Sequence, residues 1–372
     1  MKNYKRILCF LCLGLAIILT LSACGYTMPM TRRYPLTYGL EGTDSSLMVI
    51  RESNDRYGYM DAMGNKIIAL LFEEAYPFSD GLAVVKKGGK YGYIDKTGKT
   101  VIPFRYLDAY DFHNGVAVVG KEIDRSGPIR VLGCMIDQEG KEITATDIFS
   151  FKHLSEGTLL YTKNGDYLYD ALTRERTQLL NLDLAKAIGY SCGHSIVNDS
   201  ETSYFVDQEG NKAFGTSYRE ARPFSENLAA VIPMTEKDKW GYINQQGQLV
   251  IPAKYKRAFD FGEGVACVRT TDDIRVIIDR QANVLTSVSA AFDTAQSFSD
   301  GLCAVGRDKE ETVSFNYVEE TYDWGFIDTT GKLVIDFQYD LVTPFKNGIA
   351  QVLVDGKIGY IDKTGKYIWE PQ

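Results

Sequence analysis

Lys90 to Phe104 reads KYGYIDKTGKTVIPF, and the phrase returns as KWGYINQQGQLVIPA from Lys239, DWGFIDTTGKLVIDF from Asp323 and KIGYIDKTGKYIW from Lys357. A catalytic site is built once, so a phrase written this often specifies architecture. Taking the acidic or amide residue of the GYID element as a marker, copies fall at Asp61, Asp95, Asp137, Asp170, Asp207, Asn244, Asp279, Asp328 and Asp362. Their spacing runs from 33 to 49 residues, the range in which stacked supersecondary units form solenoids, propellers or arrays. The strong copies begin at Tyr57, Tyr91, Trp240, Trp324 and Ile358, while those around Asp137, Asp170, Asp207 and Asp279 lack the aromatic–glycine pair.

Each unit has a readable plan. YGYID is a strand, KTGK a turn, and TVIPF a second strand in which Pro103 cannot donate to a ladder and so marks an edge or a strand end. Asp95 can accept the backbone N–H two residues on, and Gly98 supplies the positive φ of a type I turn closed by a bulge. The same pairs recur as Asp61 with Gly64, Asp328 with Gly331 and Asp362 with Gly365, which are read as structural turn residues. A linking segment such as EEAYPFSDG follows, then a third strand such as LAVV from Leu82 or LCAV from Leu302. In WGYIN both faces are apolar, so each small sheet must be covered on both sides by neighbouring units. The glycine beside the aromatic residue is expected to admit a ring or backbone from the next unit.

These residues resemble the WG β-repeat of bacterial surface and exported proteins: aromatic-Gly-(Tyr/Phe)-Ile-Asp-x-x-Gly-Lys, with Ile-Pro just beyond and Phe-x-(Asp/Glu/Asn)-Gly-x-Ala-x-Val after a linker. The resemblance covers Leu47 to Trp369. It implies a β-rich repeat fold, often on lipoproteins, with no general enzymatic activity, and it names no ligand. The fold expected is all-β: tandem antiparallel hairpins with a third strand, forming a closed propeller-like toroid or, alternatively, an open β-solenoid. The chain starts on a third strand, Ser46 to Ile50, and ends on a hairpin, so the N-terminal strand is expected to complete the C-terminal unit and close the ring.

The first residues carry an address. Lys2, Lys5 and Arg6 precede the apolar run Ile7 to Leu21, which has the length of a signal-peptide core. The run ends in LSAC, Leu21 to Cys24, which resembles the lipobox of bacterial lipoproteins and implies cleavage before Cys24 and lipid on its sulfur. Two acyl chains anchor stably where one does not. The chain thus divides into a signal peptide over 1–23, a lipidated cysteine and tether over 24–45, and the repeat domain over 46–372. The expected location is extracytoplasmic, lipid-anchored to the cell membrane or outer membrane.

The formal charge is −8, and removing a leader with three positive residues makes the remainder more acidic. Such a chain has no phosphate-tracking surface, which argues against nucleic acid as a partner. Cys134, Cys192, Cys267 and Cys303 are too few for a disulfide framework and read as small buried hydrophobes. In GVACV and GLCAV the cysteines differ by one place after the repeat glycine, so strand alternation aims Cys267 and Cys303 at opposite faces.

Chemistry finds little purchase. His113, His153 and His194 stand one to a unit without metal-ligand spacing, and the recurrent aspartates lack the clustering of a calcium loop. No metal or cofactor is expected. Cys192 and His194 in YSCGHS fall on one face of a strand, a thiol–imidazole pair without an orienting acid. The chain is therefore expected not to be an enzyme. It is read as a binding or scaffolding protein of the bacterial envelope that presents its repeat surface to protein partners. The alternatives are a polysaccharide- or peptidoglycan-binding module using rows of its 24 tyrosines, and an envelope hydrolase with a site converging between repeats. The longest interval places an insertion at Gly306 to Asp323, with a smaller one at Gly120 to Arg130, as candidate contact segments.

Overall fold

The computed structural model describes residues 46–372 apart from 53–54, 125–129, 145, 155–156, 163–164, 170–175, 179–186, 200, 208–210 and 310–321, and the described residues form short strands joined by turns and connections of varied length. Cys24, the leader and the tether lie outside the described residues, as do Asp170 and most of the Gly306 to Asp323 insertion. The chain divides into two compact units. One holds residues 72–151 and 160–165; the other holds 45–71, 152–159 and 166–372.

The first unit displays the repeating sheet clearly. Its strands are Glu74–Ala75, Ala83–Lys87, Lys90–Ile94 and Thr100–Tyr106, hydrogen-bonded antiparallel in chain order. The sheet therefore has four strands, not three. Its first strand is a two-residue piece of the segment read above as a linker, too short to leave a period-2 signal. The second strand is the expected third strand of one sequence repeat, and it pairs with the hairpin of the next, from Ala83↔Ile94 to Lys87↔Lys90. Pro103 lies mid-strand and exposed on the outermost strand, where its missing N–H costs no ladder bond. A second sheet begins with Asp108–Ala109, Val116–Asp124 and Arg130–Asp137.

Sheets of the same plan follow in the second unit, with strands lying within 257–287, 294–339 and 341–369, and the strands within 218–255 repeat the plan as the latter part of a seven-stranded sheet that begins at Ala187. At the chain start, Met48–Arg51, Tyr57–Met60 and Lys66–Phe72 form a three-stranded sheet. Here an expectation is corrected. Met48–Arg51 pairs with Tyr57–Met60, its own neighbour in sequence, and does not complete the C-terminal sheet. A short connection makes local antiparallel pairing the cheaper closure.

The first and last sheets meet through their faces instead. Met48, Ile50 and Met60 share a buried cluster with Tyr360 and Trp369. Tyr360 donates from its hydroxyl to the Val49 carbonyl at 2.8 Å, as Tyr242 does to Phe259 and, in the first unit, Tyr93 to Tyr110. The hairpin glycines repeat the relation: Gly365 lies against Ile335 and Gly331 against Ser287, each on the outer strand of the preceding sheet, and Gly64 lies against Ile368 of the last sheet. Thus, within the second unit, the first sheet seats on the last as the last seats on the sheet before it.

Apolar strands with both faces covered account for the core. Tyr59, Tyr93, Tyr242 and Phe326 are almost fully buried, so the aromatic residue two places before the marker packs between sheets. The neighbouring glycine serves a different contact from the one expected. A Cβ at Gly241 would stand 2.5 Å from the Ile251 carbonyl oxygen, on the outer strand of the same sheet and at a register shift, not on the next unit.

Candidate interaction surface

Every four-stranded sheet has two ends with opposite habits. At one end lie the turn from first to second strand and the marker turn from third to fourth. At the other lies the connection from second to third strand.

The first end is fixed by chemistry that recurs. In the marker turn, Asp95 Oδ1 accepts N–H bonds from Thr97 at 2.9 Å and Lys99 at 3.0 Å, while Gly98 at φ +84° donates to the Asp95 carbonyl at 2.9 Å. The same bracing stands at Asp61, Asp328 and Asp362, and also at Asn244 and Asp279. Gly64, Gly331 and Gly365 hold the positive φ of their turns, and Ala282 holds it after Asp279. Hydrogen bonds from Thr97 keep the Asp95 carboxyl below its ordinary range against a smaller opposing effect of burial, and Thr364 does the same for Asp362.

The first-to-second turn, written FSDG or a variant, was read only as linker and does more. Asp300 and Gly301 both have positive φ, the pair a type I′ hairpin demands. The serine and the acid before the glycine then reach the next sheet. Ser299 Oγ donates to the Phe345 carbonyl at 2.6 Å, and Asp300 Oδ2 accepts the Gly348 N–H at 2.5 Å. The pattern repeats as Ser225 to Phe261 and Glu226 to Gly264, and in the first unit as Ser79 to Phe112 and Asp80 to Gly115. These side chains fasten sheet to sheet and are spent on structure.

The second end varies. The connection is only Gly88–Gly89 between Lys87 and Lys90, whose N–H groups are capped by Glu73, but it runs from Arg269 to Arg275, from Pro233 to Trp240 and from Asp308 to Tyr322 in other sheets. Charged groups gather at its base. Lys309 Nζ lies 2.7 Å from Asp340 and 3.1 Å from Asp323, and Asp273 bonds Lys256 and Arg269. The hydrogen bond to Asp340 raises Lys309, and the bond from Lys309 lowers Asp340. Glu74 is lifted by burial, yet bonds from Lys86, Tyr91 and Tyr76 outweigh that and leave it below its usual value.

The sequence-derived chemical candidates fall elsewhere. Cys192 and Gly193 form the tight turn itself, with φ +53° and +77°, so Cys192 occupies the place of Asp80 or Asp300 and does not share a strand with His194. The contact between them runs from His194 Nδ1 to the Cys192 carbonyl at 3.0 Å, and the imidazole packs beside Phe214 and Phe224. Cys134, Cys267 and Cys303 are buried, whereas Cys192 is only partly so. Tyr57, Tyr91, Tyr106, Tyr255 and Tyr339 are inside, which removes them from any exposed sugar-stacking row. Among the described residues no group of three His, Cys, Asp or Glu side chains is placed to hold a metal. One buried charge stands out: Arg222 lies 3.9 Å from Asp260 and over the Trp240 and Phe259 rings. Burial pushes the Asp260 carboxyl up, opposed by that guanidinium.

Comparison with known proteins agrees with this anatomy. Residues 57–91, 91–122, 240–272 and 324–357 match the family model described as the WG containing repeat, so the chain carries WG repeats at these four places. No curated protein matches the chain. Among solved structures, the crystal structure of the eukaryotic initiation factor superposes with a TM-score of 0.57 at 10% identity, covering 88% of this chain and 96% of that one. BamB from Moraxella catarrhalis gives 0.37 at 11% identity over 87% and 92%. The Neurospora crassa Pan2 WD40 domain gives 0.36 at 14% over 57% and 74%. Among the described residues the fold is all-β with antiparallel sheets.

Proposed function

We propose that this chain is a lipid-anchored, extracytoplasmic binding or scaffolding protein of the bacterial envelope, without enzymatic activity, that presents the variable ends of its sheets to protein partners. The observation that carries the reading is the asymmetry of the sheet ends. The end built from marker turns and FSDG turns is committed to bracing and fastening, whereas the second-to-third connections differ in length from sheet to sheet. Loop variation on a fixed scaffold is how repeat proteins acquire partners. A closed propeller-like toroid is the arrangement we favour over an open solenoid, supported by the first sheet seating on the last.

The anchor reading rests on LSAC behind a charged and apolar leader. Cys24→Ser should leave an unlipidated precursor that no longer follows the detergent phase. The partner reading is tested by shortening Gly306 to Asp323 to a tight turn. That variant should keep its thermal unfolding within a few degrees and capture fewer envelope proteins than the parent in pull-downs from one extract. Normal capture by the shortened chain, alongside a hydrolytic activity that is lost on replacing Cys192 and His194 by alanine, would overturn the scaffold reading.

A further inference from the structure

Cys267 and Cys303 stand on consecutive sheets of the second unit, in the strands Val265–Arg269 and Leu302–Asp308. They follow their repeat glycines by different counts: Cys267 is third after Gly264, Cys303 second after Gly301. Strand alternation therefore sends them to opposite faces of their own sheets. Opposite faces of consecutive sheets are the two surfaces that meet. The third place after the glycine looks toward the next sheet and the second place toward the previous one, as Val84 with Ala117 and Ala304 with Ala350 show by sharing their inter-sheet clusters. Cys267 and Cys303 fill the same pair of places. Both lie in one buried cluster with Phe259, Ile277, Phe298 and Ile327, exposed by 1% and 0%, and the neighbouring Cys267 thiol adds to the burial that raises the Cys303 thiol.

We infer that Cys267 and Cys303 are a disulfide-forming pair that covalently links these two sheets in the exported protein. Its oxidant is of the disulfide class, a protein or glutathione disulfide, and its supply in the cell rests on the exported reading proposed above. One cysteine thiolate attacks a sulfur of that disulfide, breaking its S–S bond and expelling one thiolate. The second cysteine thiolate then attacks the cysteine sulfur of the mixed disulfide and expels the other. The two cysteine protons end on the two released thiols, so two cysteines are oxidised and one external disulfide is reduced. Burial in the native core pushes the Cys303 thiol well above its ordinary range and denies it to an oxidant. The bond is accordingly made while the chain folds and is then sealed in. Cys134 and Cys192 lie in other clusters and remain thiols.

The test uses the full chain in detergent, unfolded with reductant, refolded in a buffer of reduced and oxidised glutathione, blocked with N-ethylmaleimide in denaturant, and mapped by mass spectrometry after proteolysis. The expected result is a Cys267–Cys303 cross-linked peptide, with Cys134 and Cys192 alkylated and a lower unfolding midpoint after reduction. Cys267→Ser should leave Cys303 alkylated and pair it with nothing else. Recovery of both Cys267 and Cys303 as alkylated thiols from refolded protein, or their pairing with other cysteines, overturns the inference. The same trapping on protein taken directly from cells separates the two readings. A bond in refolded protein that is absent from cell-derived protein upholds the pairing and counts against export.

Discussion

Ala282 occupies the turn position where other copies carry glycine, and exchanging alanine and glycine at two such positions gives changes of opposite sign. Ala282 is held at φ +63° after Asp279, whose Oδ1 accepts the Gln281 and Asn283 N–H bonds at 2.9 Å each. An L-residue in this region carries roughly 1–2 kcal/mol of strain. Glycine relieves it but brings about 0.4–1 kcal/mol of extra unfolded-state entropy, and loss of a half-buried methyl costs about 0.4 kcal/mol more. Ala282→Gly should therefore stabilise by about 0.5 kcal/mol from these terms together. At Gly331, with φ +79°, a Cβ would stand 2.9 Å from the Ser287 carbonyl oxygen of the preceding sheet. Gly331→Ala adds that clash to the strain and should destabilise by about 1–3 kcal/mol. Urea unfolding of the full chain in detergent, followed by circular dichroism at matched slope, reads both. A lowered midpoint for Ala282→Gly, or an unmoved one for Gly331→Ala, would refute the turn argument.

Two further outcomes follow from the fastenings. Ser299→Ala removes the bond to the Phe345 carbonyl and should cost about 1 kcal/mol, and Asp300→Ala, which loses a charge-assisted bond to the Gly348 N–H, about 1.5–3; denaturation midpoints equal to the parent's would remove the sheet-to-sheet role. Asp95 and Asp362 have carboxyls lowered in the folded state, so the unfolded chain binds more protons in acid. Their contribution is complete above the ordinary carboxylate range and is lost as pH falls through the folded values; Asp95→Asn combined with Asp362→Asn should flatten the acid limb of the stability–pH curve, and an unchanged limb would exclude this linkage.

The extent to which the fold was legible depended on where each residue's partner lies. Repeats and all-β character showed because aromatic-Gly-(Tyr/Phe)-Ile and the marker turn are local patterns, and Pro103 pointed to an edge because its missing donor is a property of one residue. Glu74–Ala75 was hidden because two residues cannot display alternation. The roles of Ser79, Ser225 and Ser299 were hidden for another reason. Each donates to a backbone carbonyl more than thirty residues away, and any residue type presents a carbonyl. Strand alternation gave Cys267 and Cys303 their faces; their meeting required knowing that consecutive sheets stack in chain order. In the candidate surface, turn residues were readable, whereas the contrast between fixed and variable ends emerged only once the sheet order showed which connections share an end.

The seating of the first sheet on the last imposes an order in time. Met48, Ile50 and Met60 leave the ribosome well before Tyr360 and Trp369, which bury them. Until those arrive, the apolar face of the opening sheet has no native cover. A truncation that removes only the last hairpin therefore strips the beginning of the domain as well as its end, and such a fragment should be recognised by chaperones and proteases through its N-terminal residues.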